Sequence, residues 1–376
     1  MTMNTSGIPR IALYVFILLF FVLSFIILQA LSFYLVPVTF AAFLSMLMLP
    51  FNRLLERYRT PRILAIIASL LIILLIISGI IMVISTQIIS FTQDLPVIES
   101  QLRIKFDQFQ EFIQRMTGFT VENQVSFIDK ETALILSNAD RWATGILIST
   151  GGTLAAFGVM ILHFILFLLY RQRIKGFLLM LIKEGHHEKA STMIEKITKI
   201  TGQYLTGVLI VMGVMSVLNS AGLLLFGIQN AIFFGVLAAV LNIIPYIGVW
   251  IGAGLPILLA LITKDSLFYP MGVLGLFIFN QFVDNNFLTP RITGSQVKIN
   301  ALATIGVILI GNMVWGVAGM ILFIPLLGIA KIVFDSVDQL KPFAYLIGEE
   351  ETSSRRPKKK AQKEDLAVNN EKVTST

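Results

Sequence analysis

Long uncharged apolar runs alternate with short polar segments along this chain, and the run lengths predict helices that cross a lipid bilayer. A helical span needs about 20 apolar residues to cover some 30 Å of hydrocarbon. Residues 11–29 and 30–49 carry no charge and together are twice that length, so they predict a helical hairpin with its turn near Gln29–Ser32. A cleaved signal peptide fits the first run poorly, because a second apolar run follows at once and no small-x-small cleavage site stands between them. Further apolar stretches occupy 63–90, 145–170, 203–226, 229–262, 267–289 and 299–333. The pattern therefore predicts an all-α fold: a polytopic helical membrane protein with about eight hydrophobic segments.

The polar segments divide the chain. Residues 1–90 form an N-terminal membrane segment, the hairpin plus a third span. A helical insert at 91–144 follows, in which Ile98, Leu102, Phe106, Phe109, Ile113 and Met116 recur every three or four residues. Gly118 ends that stripe, and Ser126 to Asp129 resembles a capping box opening another helix. Residues 145–348 make the main membrane domain, with a basic amphipathic helix near 185–202. The charged tail at 349–376 reads as disordered.

Lysine and arginine set the expected orientation. Arg53, Arg57, Arg59 and Arg62 face a single Glu56 in the 51–62 loop, and the 171–202 loop holds seven basic residues against three acidic ones. Both loops, and both termini, are expected in the cytoplasm. The 91–144 insert, with eight acidic residues against five basic ones, suits the outside.

Two of the stretches are too long for one span, since some 33 helical residues measure about 50 Å. Each is also interrupted at its middle. Asn242-Ile243-Ile244-Pro245-Tyr246-Ile247-Gly248 breaks 229–262, with Gly252 beyond, and Gly311-Asn312-Met313-Val314-Trp315-Gly316 breaks 299–333, with Gly319 beyond. Each stretch is either one long tilted helix or a re-entrant hairpin. Hairpins place Arg291 and Lys298 on the cytoplasmic side, as the charge rule requires, and are favoured for that reason. Gly- or Pro-interrupted segments in matching places point to a transporter's binding site.

The densest polar cluster inside an apolar run is Asn280 to Asn286, closed by Thr289, Pro290 and Arg291. On a helix Gln281, Asp284 and Asn285 share a face, which suits a proton, a sodium ion or a hydroxylated solute. The alternative is that Asp284 pairs with Arg291 and only anchors the span. Asn242 and Asn312 join the candidate binding residues because they sit at the interruptions, with Pro245 and Gly248 beside the first; Gly252, Gly316, Gly319, Pro290 and Arg291 are assigned to gating or structure. Asn219 reads as interhelical glue, and His163 as a satisfied packing residue.

Composition sharpens this reading. The chain of 376 residues is 56% hydrophobic and only 14% charged, with mean hydropathy +0.83. It has no cysteine, which excludes disulfides and thiolate metal sites, and His186 and His187 belong to no zinc-ligand pattern. The net charge of +7 lies in loops and tail, not along a nucleic-acid-binding motif. No phosphate-binding loop, zinc-protease helix or nucleophile elbow occurs, so no enzyme and no cofactor is expected. The expected partners are the lipid bilayer and a small polar solute or monovalent cation.

From residue 200 to 330 the chain resembles the autoinducer-2 exporter (AI-2E) family of bacterial permeases. The resemblance runs through Gly202-Gln203, Asn242 to Gly248, Gln281, Asp284, Asn286, Pro290, Gly294, Gly316, Gly319 and Pro325. Asp284 departs from it, since the family pattern carries glutamate there. The resemblance implies a multi-pass inner-membrane transporter, a homo-oligomer, and a cargo that is either the quorum signal autoinducer-2 or, in sodium/proton exchange, an ion. Three readings follow in order: a cation-coupled exporter using Asp284, a sodium/proton antiporter, and a membrane scaffold acting through the insert or the tail.

Overall fold

A computed structural model describes residues 10–117, 150–244, 247–292 and 299–349. The capping box at Ser126, Pro245, Gly294, Lys298 and the tail beyond 349 lie outside the described residues. Within them the chain is all-α, and six helical stretches are long and apolar enough to cross a membrane.

Helices α1 (Arg10–Ala30) and α2 (Ser32–Arg57) meet at Leu31, inside the expected turn. Helix α1 does not lie along α2. Its side chains from Ile11 to Leu28 are largely exposed, as lipid-facing residues would be. Helix α3 (Arg62–Thr117) joins the third span and the amphipathic stripe into one helix of 56 residues, about 84 Å long. The boundary at 90 is a change of solvent, and a helix crosses such a change without breaking because its backbone bonds are satisfied internally.

A first core forms where α2, α3 and α4 (Thr150–Leu169) meet, around Ala41, Leu49, Ile66, Phe164 and Leu168. Buried Asn52 donates to the Ser69 hydroxyl at 2.9 Å, tying α2 to α3, and Arg62 donates to the Leu168 carbonyl at 2.7 Å, capping α4. His163 on α4 has both ring nitrogens occupied. Nδ1 donates to the Val159 carbonyl at 2.8 Å, so Nε2 accepts from the Tyr34 hydroxyl at 2.9 Å.

Short α5 (Arg171–Met180) leads into α6 (His187–Leu225), 39 residues that merge the expected basic helix and the following span. Against the far half of α6 packs α7 (Ala231–Leu241), and α8 (Ile247–Thr263) packs on α7 in turn, around Phe233, Phe234, Ala253, Leu259 and Phe277. These two helices are a hairpin. A Cβ on Gly248 would lie 1.7 Å from the Leu241 carbonyl oxygen, and one on Gly252 would lie 2.8 Å from the Ala238 Cα. Only a chain that doubles back puts 248 on 241 and 252 on 238.

After α9 (Phe268–Val283), the wide turn Asp284–Leu288 and short α10 (Thr289–Ile292), the chain enters α11 (Ala301–Ser336). A straight helix separates residues eight apart by about 12 Å. Yet a Cβ on Gly319 would lie 1.9 Å from the Gly311 carbonyl oxygen. The reversal is at Trp315 and Gly316, and Gly316 has φ +59°, which glycine adopts without strain. The 299–333 stretch is therefore a second hairpin. Its base is closed by Asn300, whose backbone N–H donates to the carbonyl of Ile347 at 3.0 Å, at the end of α12 (Lys341–Ile347).

The hairpins open toward opposite ends of α6. Gly227 and Lys264, flanking the first, adjoin each other near the C-terminus of α6, and Lys105 of α3 pairs with Asp265 there at 2.9 Å. At the other end Lys341 foremost, and Lys189 of α6 as well, hold the Asp338 carboxyl below its ordinary value. Ile292 lines a cavity there with Arg53 and Arg171. Arg291 thus falls at the arginine-rich end. In this cysteine-free chain, Tyr58→Cys and Asp338→Cys are expected to react with an impermeant maleimide from one side of the membrane, and Asp265→Cys from the other. Labelling of Asp338→Cys and Asp265→Cys from the same side would overturn the arrangement.

Candidate binding site around Asp284

The interruption in the first hairpin places Asn242 at the C-terminal end of α7, and the wide turn after α9 places Asp284 opposite it. The Asn242 amide donates to Asp284 Oδ2 at 3.0 Å, and the Thr289 hydroxyl donates to Oδ1 at 2.7 Å. Asp284 is 4% exposed. Arg291 does not pair with it; its guanidinium lies 5.9 Å over the Phe287 ring. Among the described residues Asp284 has no ion-pair partner.

Asp284 borders a cavity of about 630 Å³, lined also by Tyr204, Val211, Asn242, Trp250, Gln281, Asn285 and Thr289. Gln281 donates to the Asn285 side-chain oxygen at 3.0 Å, which fixes two amides on the wall. Deeper in, Asn280 donates to Asn219 at 2.9 Å between α9 and α6, both buried. Asn280→Leu strands the Asn219 amide and is expected to destabilise the protein by about 1–3 kcal/mol, read as a lower Tm, whereas Asn219→Leu/Asn280→Leu costs less. A double variant less stable than the single one would refute the pairing.

The structure brings Asp284, Gln281, Asn285 and Asn242 together, and Gly248 and Gly252 hold the hairpin that carries Asn242. Asn312 is not on this cavity. It is exposed on the second hairpin, which packs on α1, α2 and α6, and whose Trp315 donates to the Leu28 carbonyl at 2.9 Å. Gly316 and Gly319 shape that hairpin, while Pro290 is the second residue of α10. Thr289, Tyr204 and Trp250 were not among the candidate binding residues. Thr289 closes the polar cluster, and the spacing of five that joins it to Asp284 belongs to the wide turn, not to an α-helix.

Chemically the site joins one buried carboxyl, three amides, a hydroxyl and aromatic walls, and among the described residues no three acidic, histidine or cysteine side chains gather as metal ligands. Two opposed hairpins and a polar cavity at a broken helix define a membrane transport protein. The chain belongs to the AI-2E transporter family, whose profile matches residues 15–339. It is 23% identical over 318 residues to the AI-2 transport protein TqsA of Escherichia coli K12, covering 84% of this chain and 89% of TqsA. It is 23% identical to "Putative transport protein YueF" of Bacillus subtilis 168, covering 81% of this chain and 84% of that one. A shorter match, 29% over 153 residues, is to "Putative transport protein YrrI" of the same strain, 41% of this chain and 43% of YrrI.

Proposed function

We propose that the protein is a secondary transporter of the bacterial cytoplasmic membrane that exports a small polar solute, with Asp284 as the site of a coupling proton or sodium ion. The observation that carries this is the size of the cavity beside the carboxyl. About 630 Å³ is far more than a bare cation needs and falls in the range of small-molecule pockets. The similarity to TqsA makes autoinducer-2 the first solute to test. In this reading both termini are cytoplasmic and the protein works as a homo-oligomer.

Access to the site is controlled by an apolar cluster. Val211, Met215 and Ala239 pack with Met212, Leu288 and Ile292. Val211, Met212 and Ala239 also border the Asp284 cavity, while Ile292 borders the basic cavity at the arginine-rich end. The cluster thus stands between the site and that end, and moving the Asp284–Ile292 segment would open the way.

Purified protein in liposomes is expected to move autoinducer-2 when a proton or sodium gradient is imposed. Absence of solute movement with persistent sodium-driven pH change would assign antiport instead. Absence of both would leave the scaffold reading.

A further inference from the structure

We propose that the groove between α2, α5 and α6 is a binding site for one anionic phospholipid, seated at the arginine-rich end. Two adjoining cavities make the case. The first, about 1000 Å³, is lined by Arg53, Arg171, Lys175 and Lys199 with a single acid, Glu195. The second, about 270 Å³, is apolar, with Ala42, Leu49, Phe167, Leu168, Leu178 and Ile197 on its walls. They share Met46, Leu49, Arg171, Lys175, Ile194 and Thr198, so a basic chamber passes directly into an apolar crevice.

The charges do not cancel. Glu56 pairs with Arg171, and Glu195 accepts from Lys175 at 2.7 Å. Arg53 and Lys199 have no ion pair among the described residues, and Arg171 Nη1 is buried without a partner. A phosphate group answers the surplus, as does the headgroup of an acidic lipid in a basic pocket between spans. The crevice decides between a free phosphate and a lipid. It lies alongside the headgroup chamber, and an acyl chain is the apolar group that a bilayer supplies there. A zwitterionic lipid would fill the crevice equally well, but its own ammonium group offsets its phosphate and leaves the net positive charge of the chamber unbalanced.

The test is thermal unfolding of the full chain in mild detergent with dioleoyl phosphatidylglycerol, dioleoyl phosphatidylcholine or inorganic phosphate. Phosphatidylglycerol is expected to raise Tm by about 3–6 °C, and the other two by less than about 1 °C. Arg53→Gln/Lys199→Gln should weaken the phosphatidylglycerol response about thirtyfold in concentration. Both residues are exposed, so the unliganded Tm should stay as in the native chain. Ala42→Phe, which fills the crevice, should also abolish the response. Equal shifts with both lipids would overturn the proposal, as would a native response in the double variant. A phosphate response equal to that of phosphatidylglycerol would assign a free-anion site instead. The headgroup comparison decides the matter even if Ala42→Phe does not fold.

Discussion

Asp284→Asn is expected to abolish gradient-driven solute flux in proteoliposomes while leaving the protein folded. The reason lies in the two hydrogen bonds at the carboxyl. An asparagine can still accept from the Asn242 amide through its oxygen and can turn its own amide toward the Thr289 hydroxyl, so the packing survives. What it loses is the negative charge. Hydrogen bonds to charged groups are worth about 1.5–3 kcal/mol, so a coupling cation should bind roughly 10- to 150-fold more weakly. Flux should then cease to follow the imposed gradient. Asp284→Glu, which keeps the carboxylate and extends it by one methylene, should retain coupling. Native gradient dependence in a well-folded Asp284→Asn protein would remove the carboxyl from the mechanism.

Gly248→Val is expected to have the largest effect on structure. Its Cβ would overlap the Leu241 carbonyl oxygen at 1.7 Å, and that atom belongs to backbone, which cannot turn aside as a side chain can. The hairpin must spread to admit it, at a cost of about 3 kcal/mol or more. Spreading also withdraws Asn242 from Asp284, so flux and Tm should fall together. Gly254, on the same helix, has nothing within 4 Å of the corresponding position, and Gly254→Ala should change stability by no more than about 0.5 kcal/mol. Equal behaviour of the two variants would mean that α7 and α8 are not apposed as described.

The hairpins were legible because three independent signals agreed: excess length, a break rich in glycine and asparagine, and the placement of Arg291 and Lys298. The grouping of Gln281, Asp284 and Asn285 was legible from helical spacing. Their partner was less so, because Asn242 lies 42 residues away and only tertiary packing decides whether it or Asn312 reaches the carboxyl. The two interruptions look alike in sequence, yet one meets the acid and the other faces outward. The changes of pattern at 90 and 202 mark segment bounds and not helix ends. Hydropathy reports what surrounds a helix, and α3 and α6 continue through the change.

The wide turn at Asp284–Leu288 also fixes how the helix is phased. A π-turn bonds each residue to the fifth one on and so holds one residue more than an α-turn. In α-winding, positions 284 and 289 would point roughly 140° apart, too far for the Thr289 hydroxyl to reach the carboxyl. That hydrogen bond therefore clamps the surplus residue in place. In the coupled-export reading, a cation or proton that took the hydroxyl's position on Asp284 would release the clamp and let the segment from Leu288 to Ile292 advance like a screw by one residue, about 100°. Occupancy of a single oxygen atom would thereby be translated into rotation of Leu288 and Ile292, the apolar side chains packed with Val211.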